Sequence, residues 1–212
     1  MQAGSVEREW IERCFQGRVG RFLEIGSYDG VSTSLTAGLI DAGWRGVMVE
    51  PNPEVFARLL HNRGDNPRLT LVNAAVAGVH SVRPFHVIMD GVPGEDQTCT
   101  LSAEFAADRA QRGSKYRDIY VSSCTPIELL DGVRGNDALP YTGWHLVVID
   151  AEGMGLPIVQ GFPWAAMNDT EIGCVETFRD ADKLTECLSP FYELALHEPP
   201  NMIWRRRHTI SP

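Results

Sequence analysis

The stretch "RFLEIGSYDG", Arg21 to Gly30, is a short apolar run that closes on an acid and then carries two glycines four residues apart. A run of this kind, broken by glycine, reads as a buried strand entering a turn. Beyond the turn Val31, Leu35 and Leu39 recur every four residues, which predicts a helix ended by Gly43. The pattern then repeats. "RGVMVE" predicts a second strand, "PEVFARLLHN" a second helix, and "LTLVNAAV" a third strand with an apolar continuation. Alternation of strand and helix implies a parallel sheet with right-handed crossovers.

Upstream, a helical stripe from Val6 to Phe15 places an N-terminal helix within residues 1–17. Downstream, "RPFHVIMD" and "IYVSSCT" read as two further strands. They flank a long polar segment, Gly91 to Arg117, with weak helical character from Ala103 to Ala110. A segment that long in a compact domain suits a lid or an acceptor-binding loop. "TPIELLDG" is a short helix capped by Thr125 with Pro126 at its first position. "WHLVVID" is a continuous apolar strand, as the centre of a parallel sheet requires. A helix near Leu156, the strand "IGCVETF", a helix over Ala181–Leu188 and a terminal hairpin of "FYELAL" and "NMIWRRR" complete the pattern. No boundary divides residues 1–212, so the expectation is a single domain.

Composition narrows the partners. A net charge of −9 argues against a nucleic-acid binder, which needs a basic face. The run Arg205–Arg207 reads either as a solvated strand end or as a handle for an anionic substrate. Five dispersed cysteines without a CxxC pair suit a reducing compartment. With no signal-like N-terminus and no apolar run of membrane-spanning length, the expectation is a cytoplasmic protein without membrane insertion. His86 and His145 read as structural.

In sheets of this kind ligands sit beyond the carboxyl ends of the strands. The residues there are Glu24, Glu50, Asn73, Asp150 and Glu176. A dinucleotide turn uses three glycines to admit a diphosphate, whereas this one offers Gly26 and Gly30 with Glu24 and Asp29 beside them. Two carboxylates repel a diphosphate and attract an ammonium or a sulfonium. The turn Gly26, Ser27, Tyr28, Asp29 and Gly30 therefore suits S-adenosylmethionine. Glu50, 20 residues beyond Gly30, ends the second strand where an acid receives adenosine ribose hydroxyls. Pro51 and Asn52 would lie against the adenine, with Asn73 and Ala74 at its edge. In "VVIDAEG", Asp150 and Glu152 can act as general base, sulfonium partner or cation ligands. Glu176 approaches from the next strand. A divalent cation on Asp150, Glu152 and Glu176 is an option, but not the favoured one.

Taken together, "FLEIGSYDGVST", "GWRGVMVEPNPEVFARLLHN", "LVNAAV", "CTPIELL" and "LVVIDAEGMGLPIVQGF" resemble the FkbM-type S-adenosylmethionine-dependent methyltransferases from about Arg21 to Phe178. The resemblance implies an α/β class I methyltransferase (Rossmann-like) three-layer sandwich. Its mostly parallel seven-stranded sheet would have an antiparallel last strand and an extra hairpin or lid insertion. It also implies O-methylation of a sugar, glycan or glycosylated or polyketide small molecule, with S-adenosylhomocysteine as product. By matching position, Glu24, Gly26, Asp29 and Glu50 would hold the cofactor, and Asp150 and Glu152 would sit at the reaction centre. "TCTLS", Thr98 to Ser102, falls near the ligand in the family. One departure is Gly155, where relatives carry a second acid; another is the long middle region, which withholds the acceptor. A non-catalytic cofactor-binding relative and a nicotinamide-dependent oxidoreductase are the other classes in view.

Overall fold

The computed structural model describes residues 5–89, 98–134 and 141–207. The first half holds α1 (Val6–Cys14), β1 (Arg21–Ile25), α2 (Ala37–Asp41), β2 (Arg45–Val49), α3 (Pro53–Arg63), β3 (Leu69–Val72), β4 (Ala75–Val76) and β5 (Ser81–Ile88). Then come α4 (Ala103–Gln111), β6 (Tyr116–Cys124), α5 (Pro126–Val133), β7 (Leu146–Ile149) and α6 (Gly155–Gly161). The chain closes with β8 (Ile172–Glu176), α7 (Ala181–Leu188), β9 (Tyr192–Glu198) and β10 (Asn201–Arg206).

Seven strands form one sheet in the order β3-β2-β1-β7-β8-β10-β9. β1 runs parallel to β2 on one side and to β7 on the other, and β10 is antiparallel to both β8 and β9. The apolar run "WHLVVID" thus supplies the middle strand. Alternation along the strands divides the core into two faces. Phe22, Met48 and Val148 pack with Ile11, Leu39 and Leu59 of α1 to α3. Leu23, Val47 and Val147 pack with Leu130, Ile158 and Leu184 of α5 to α7. The result is a three-layer sandwich. α5 opens with a full capping box between Thr125 and Glu128, and Pro126 stands at its first turn.

Two elements differ from the expectation. "LTLVNAAV" is not one strand: β3 stays in the large sheet, while β4 joins β5 and β6 in a separate three-stranded sheet. The break falls at Asn73, whose carboxamide donates to the carbonyls of Glu50 at 2.8 Å and Pro51 at 3.3 Å and turns the chain. The helix after the first turn is also shorter, because residues 31–36 stay in a loop. There Asp29 accepts from the backbone of Val31 and Ser32, and the hydroxyls of Ser34 and Thr36 find partners outside the helix. Small hydroxyl residues readily trade helical hydrogen bonds for local ones.

Those hydroxyls bind Glu24, which shares the face of Phe22 and is 2% exposed. Its Oε1 accepts from the Leu35 amide at 2.9 Å, and its Oε2 accepts from Ser34 Oγ at 2.8 Å and Thr36 Oγ1 at 2.9 Å. Burial pushes the Glu24 pKa up to about 7 despite these donors. Glu24→Ala should strip three buried donors of their acceptor and cost about 2–3 kcal/mol, read as a lower urea midpoint. Because the folded pKa exceeds the unfolded one, this group's stabilisation is full at acid pH and fades as pH climbs toward the folded value. Glu24→Gln should flatten the fall in stability between about pH 5 and about pH 8.

Candidate active site

The carboxyl ends of β1, β2, β7 and β8 surround a cavity of about 280 Å³. Its floor is a backbone contact. Gly26 has φ +83°, and a Cβ there would collide with the carbonyl oxygen of Asp150. The turn is pinned by the amides of Gly26 and Ser27, both donating to the Val49 carbonyl, at 2.9 and 3.0 Å. Ser27 Oγ donates to the Glu24 carbonyl and accepts from the Val49 amide, each at 3.0 Å.

Among the described residues three non-glycine positions take left-handed backbone conformations: Tyr28 (φ 50°), Glu152 (φ 44°) and Arg179 (φ 60°). They follow β1, β7 and β8 respectively. Such a conformation costs of order 1 kcal/mol and persists only where neighbours impose it. At Tyr28 the neighbour is Glu50, whose Oε2 accepts the Tyr28 amide at 3.1 Å while Oε1 accepts the Asn52 amide at 2.8 Å. At Glu152 it is Thr100, whose hydroxyl donates to the Glu152 carbonyl. At Arg179 it is α4, where the guanidinium pairs with Glu104 and Asp108 and Phe178 meets Phe105 edge-on at 5.1 Å.

Of the residues expected to hold a cofactor, Gly26, Tyr28, Glu50, Pro51, Ala74 and Asp150 line the cavity, and Glu152 joins them. The others stand behind its wall. Glu24 faces the 34–36 loop, Asp29 caps its own turn, Asn52 caps α3 through the Glu54 amide, and Gly30 packs against Leu59. Val76, Phe85 and Leu101 give the cavity an apolar side opposite the acids. Cys99 and Leu101 belong to "TCTLS", so the described part of the expected lid contributes to the wall; its residues 91–97 lie outside the described residues.

Asp150, Glu152 and Glu176 each offer a carboxylate oxygen, and these atoms lie within 4.8 Å of one another. All three are held above the usual carboxylate range. For Asp150 burial leads and the charge of Glu7 adds to it; for Glu152 burial leads, followed by Glu176 and Asp150; for Glu176 burial leads, followed by Asp150. Glu7 and Asn201 were not anticipated from sequence. Both line the cavity, and Asn201 Nδ2 donates to Glu7 Oε1 at 2.9 Å. No local motif marks them, since they meet across nearly the whole chain.

The basic run is elsewhere. Arg205 stacks on Trp10, while Arg206 and Arg207 donate to backbone carbonyls of Met167, Ser189 and Tyr192. Arg205 pairs with Ile172 at the start of β8, the opposite end of that strand from the cavity. His86 bonds Asp118 at 2.7 Å and His145 accepts the Arg21 amide at 3.1 Å, so both serve the scaffold.

The Methyltransferase FkbM domain matches residues 24–175. The chain belongs to this family. Among solved structures it is similar to the methyltransferase FkbM of Methylobacillus flagellatus KT, at 17% identity and TM-score 0.51, covering 88% of this chain and 43% of that one. This chain therefore spans less than half the length of that protein. It is similar also to the Escherichia coli protein yhhF, at 11% identity and TM-score 0.51 over 98% of this chain and 88% of that one. A third is the ribosomal protein L11 methylase of Lactobacillus delbrueckii subsp. bulgaricus, at 11% identity and TM-score 0.49 over 97% and 79%. No curated protein sequence matches. The fold is that of the class I, Rossmann-like methyltransferases, and membership of a methyltransferase family implies use of S-adenosylmethionine. Among the described residues no helix is long and apolar enough to cross a membrane.

The fold also explains Gly155. It opens α6, and a Cβ there would run into the carbonyl oxygen of Glu176. Installing the family's acid by Gly155→Glu should destabilise the protein by about 1–3 kcal/mol, and Gly155→Ala should account for most of that loss in a thermal melt.

Proposed function

We propose that the chain moves the methyl group of S-adenosylmethionine to a hydroxyl of a sugar, glycan or glycosylated small molecule. The observation that carries this reading is one cavity with Glu50 just past the second strand and Asp150 and Glu152 just past the central strand. The residues fit the cofactor. Glu50 is oriented at the cavity by two backbone amides, and a carboxylate is the group suited to accept from two vicinal ribose hydroxyls. Val76, Phe85 and Leu101 offer the apolar surface that a purine prefers. Gly26 lets β1 and β7 meet backbone to backbone beneath the cavity, where the two halves of the sheet diverge. The acids favour a cationic ligand and oppose the diphosphate of a nicotinamide dinucleotide.

S-adenosylmethionine supplies an electrophilic methyl group on a sulfonium. The chain's residues must align the acceptor oxygen with it and take up the hydroxyl proton. Alignment lowers the barrier by converting an encounter into a held geometry. Asp150, with its pKa raised by burial, is suited to orient the acceptor hydroxyl and accept its proton near neutral pH. Glu152, aimed by its left-handed backbone, supports it from the next turn. The segment 91–117 would cover the acceptor, and residues 1–212 would act as one domain.

Isothermal titration with S-adenosylhomocysteine tests the assignment. Glu50→Ala should weaken binding by roughly tenfold to a hundredfold, a loss of two charge-assisted hydrogen bonds. Asp150→Ala should weaken it far less and act mainly on turnover. The reverse order, or fluorescence enhancement of NADH on mixing, would count against the reading.

A further inference from the structure

We infer that Asp150, Glu152 and Glu176 form a binding site for a hard divalent cation at the acceptor end of the cavity. Three carboxylates arrive there from two adjacent strand ends, β7 and β8, and their nearest oxygens fall within 4.8 Å of one another. Oxygens facing each other across a calcium-sized ion, each at about 2.3–2.6 Å, are about 4.6–5.2 Å apart, so the cluster closes on such an ion with little movement. The second observation is Glu176 itself. Its carboxylate lies against the Glu152–Gly153 backbone and the Glu152 carboxyl at 6% exposure, and of its two oxygens Oε2 is buried with no hydrogen-bond donor in reach. A buried carboxylate oxygen left unpaired costs a few kcal/mol unless something else satisfies it.

The charge of the cavity argues the same way. Glu7 stands close enough to Asp150 to act on it, so four carboxylates share one wall. Among the described residues Arg109 is the cation that acts on Glu152, and a single guanidinium cannot offset the four acids once they are ionised. An all-oxygen donor set selects magnesium, manganese or calcium over zinc or copper. Three protein ligands leave coordination positions open, and a pair of acceptor hydroxyls would fill them. That last role rests on the methyl-transfer reading; the cation site itself does not.

The experiment is titration of Mn²⁺ into metal-stripped protein, read by the loss of the free-ion electron paramagnetic resonance signal. One site per chain is expected, displaced by excess Mg²⁺ or Ca²⁺. Glu176→Gln and Asp150→Asn should each weaken Mn²⁺ by about tenfold or more, while Glu193→Gln on the exposed face of β9 leaves it unchanged. Circular dichroism melts establish that each variant is folded, and Glu152→Gln supplies a further variant should either fail. Absence of Mn²⁺ binding, or binding indifferent to all three substitutions, overturns the proposal. Titration with S-adenosylhomocysteine in the presence of chelator separates the two readings. A protein that binds donor product but fails to take up Mn²⁺ in the first titration overturns the cation site alone, and one that takes up Mn²⁺ but fails to bind donor product overturns the methyl-transfer reading alone.

Discussion

The contact between Gly26 and the carbonyl oxygen of Asp150 governs the rest of the site. It lies where β1 and β7 part, one leading outward to β2 and β3, the other to β8 and the terminal hairpin. No side chain fits between the two backbones, so the loops after β1 and β7 must leave in opposite directions. Tyr28 and Glu152 are the residues that make those departures, and both do so with left-handed backbone. The cavity is the gap that opens between them. Its shape is thereby written in backbone geometry, and the side chains around it decide only what it attracts.

What it attracts is positive charge. A fold gains nothing by burying Asp150, Glu152 and Glu176 together, since each is pushed out of its ordinary ionisation range by the removal of water. Functional sites are where natural sequences depart from what stability alone would choose. Elsewhere the protein treats buried acids differently. Glu24, as deeply buried, is given three donors and becomes a clasp for the 34–36 loop. Glu50 is given two amides. Only at Glu176 is a buried acid oxygen left without a partner among the described residues.

Sequence reading captured the strands and their order of use because their apolar runs are short, continuous and bounded by turn residues. It placed Glu50, Asp150 and Glu152 on one cavity because the ends of parallel strands point one way. It expected Glu24 at the cofactor, whereas this side chain turns to the 34–36 loop, for a reason that the same sequence contains. With Phe22 two residues earlier packed under α1, alternation sends Glu24 to the helix side, behind the turn. The shortened α2 and the break at Asn73 were hidden, since Ser34 and Thr36 turn back to Glu24 across the loop and Asn73 reaches back to Glu50 and Pro51. Glu7 was read only as part of an amphipathic helix. Its partner, Asn201, lies 194 residues away, a separation that no local pattern encodes.

That long-range pair has a consequence for how the cavity is closed. Ser5 and Glu7 close it from the start of α1, and Pro200 and Asn201 close it from the turn between β9 and β10. Between those two contributions every strand of the sheet except β10 has been made. Without the hairpin docked against β8, that side of the cavity has no wall. The same hairpin puts Tyr192, Met202 and Trp204 into one face of the core and Ile203 into the other, so the wall of the cavity and the packing of the sheet are secured by one element.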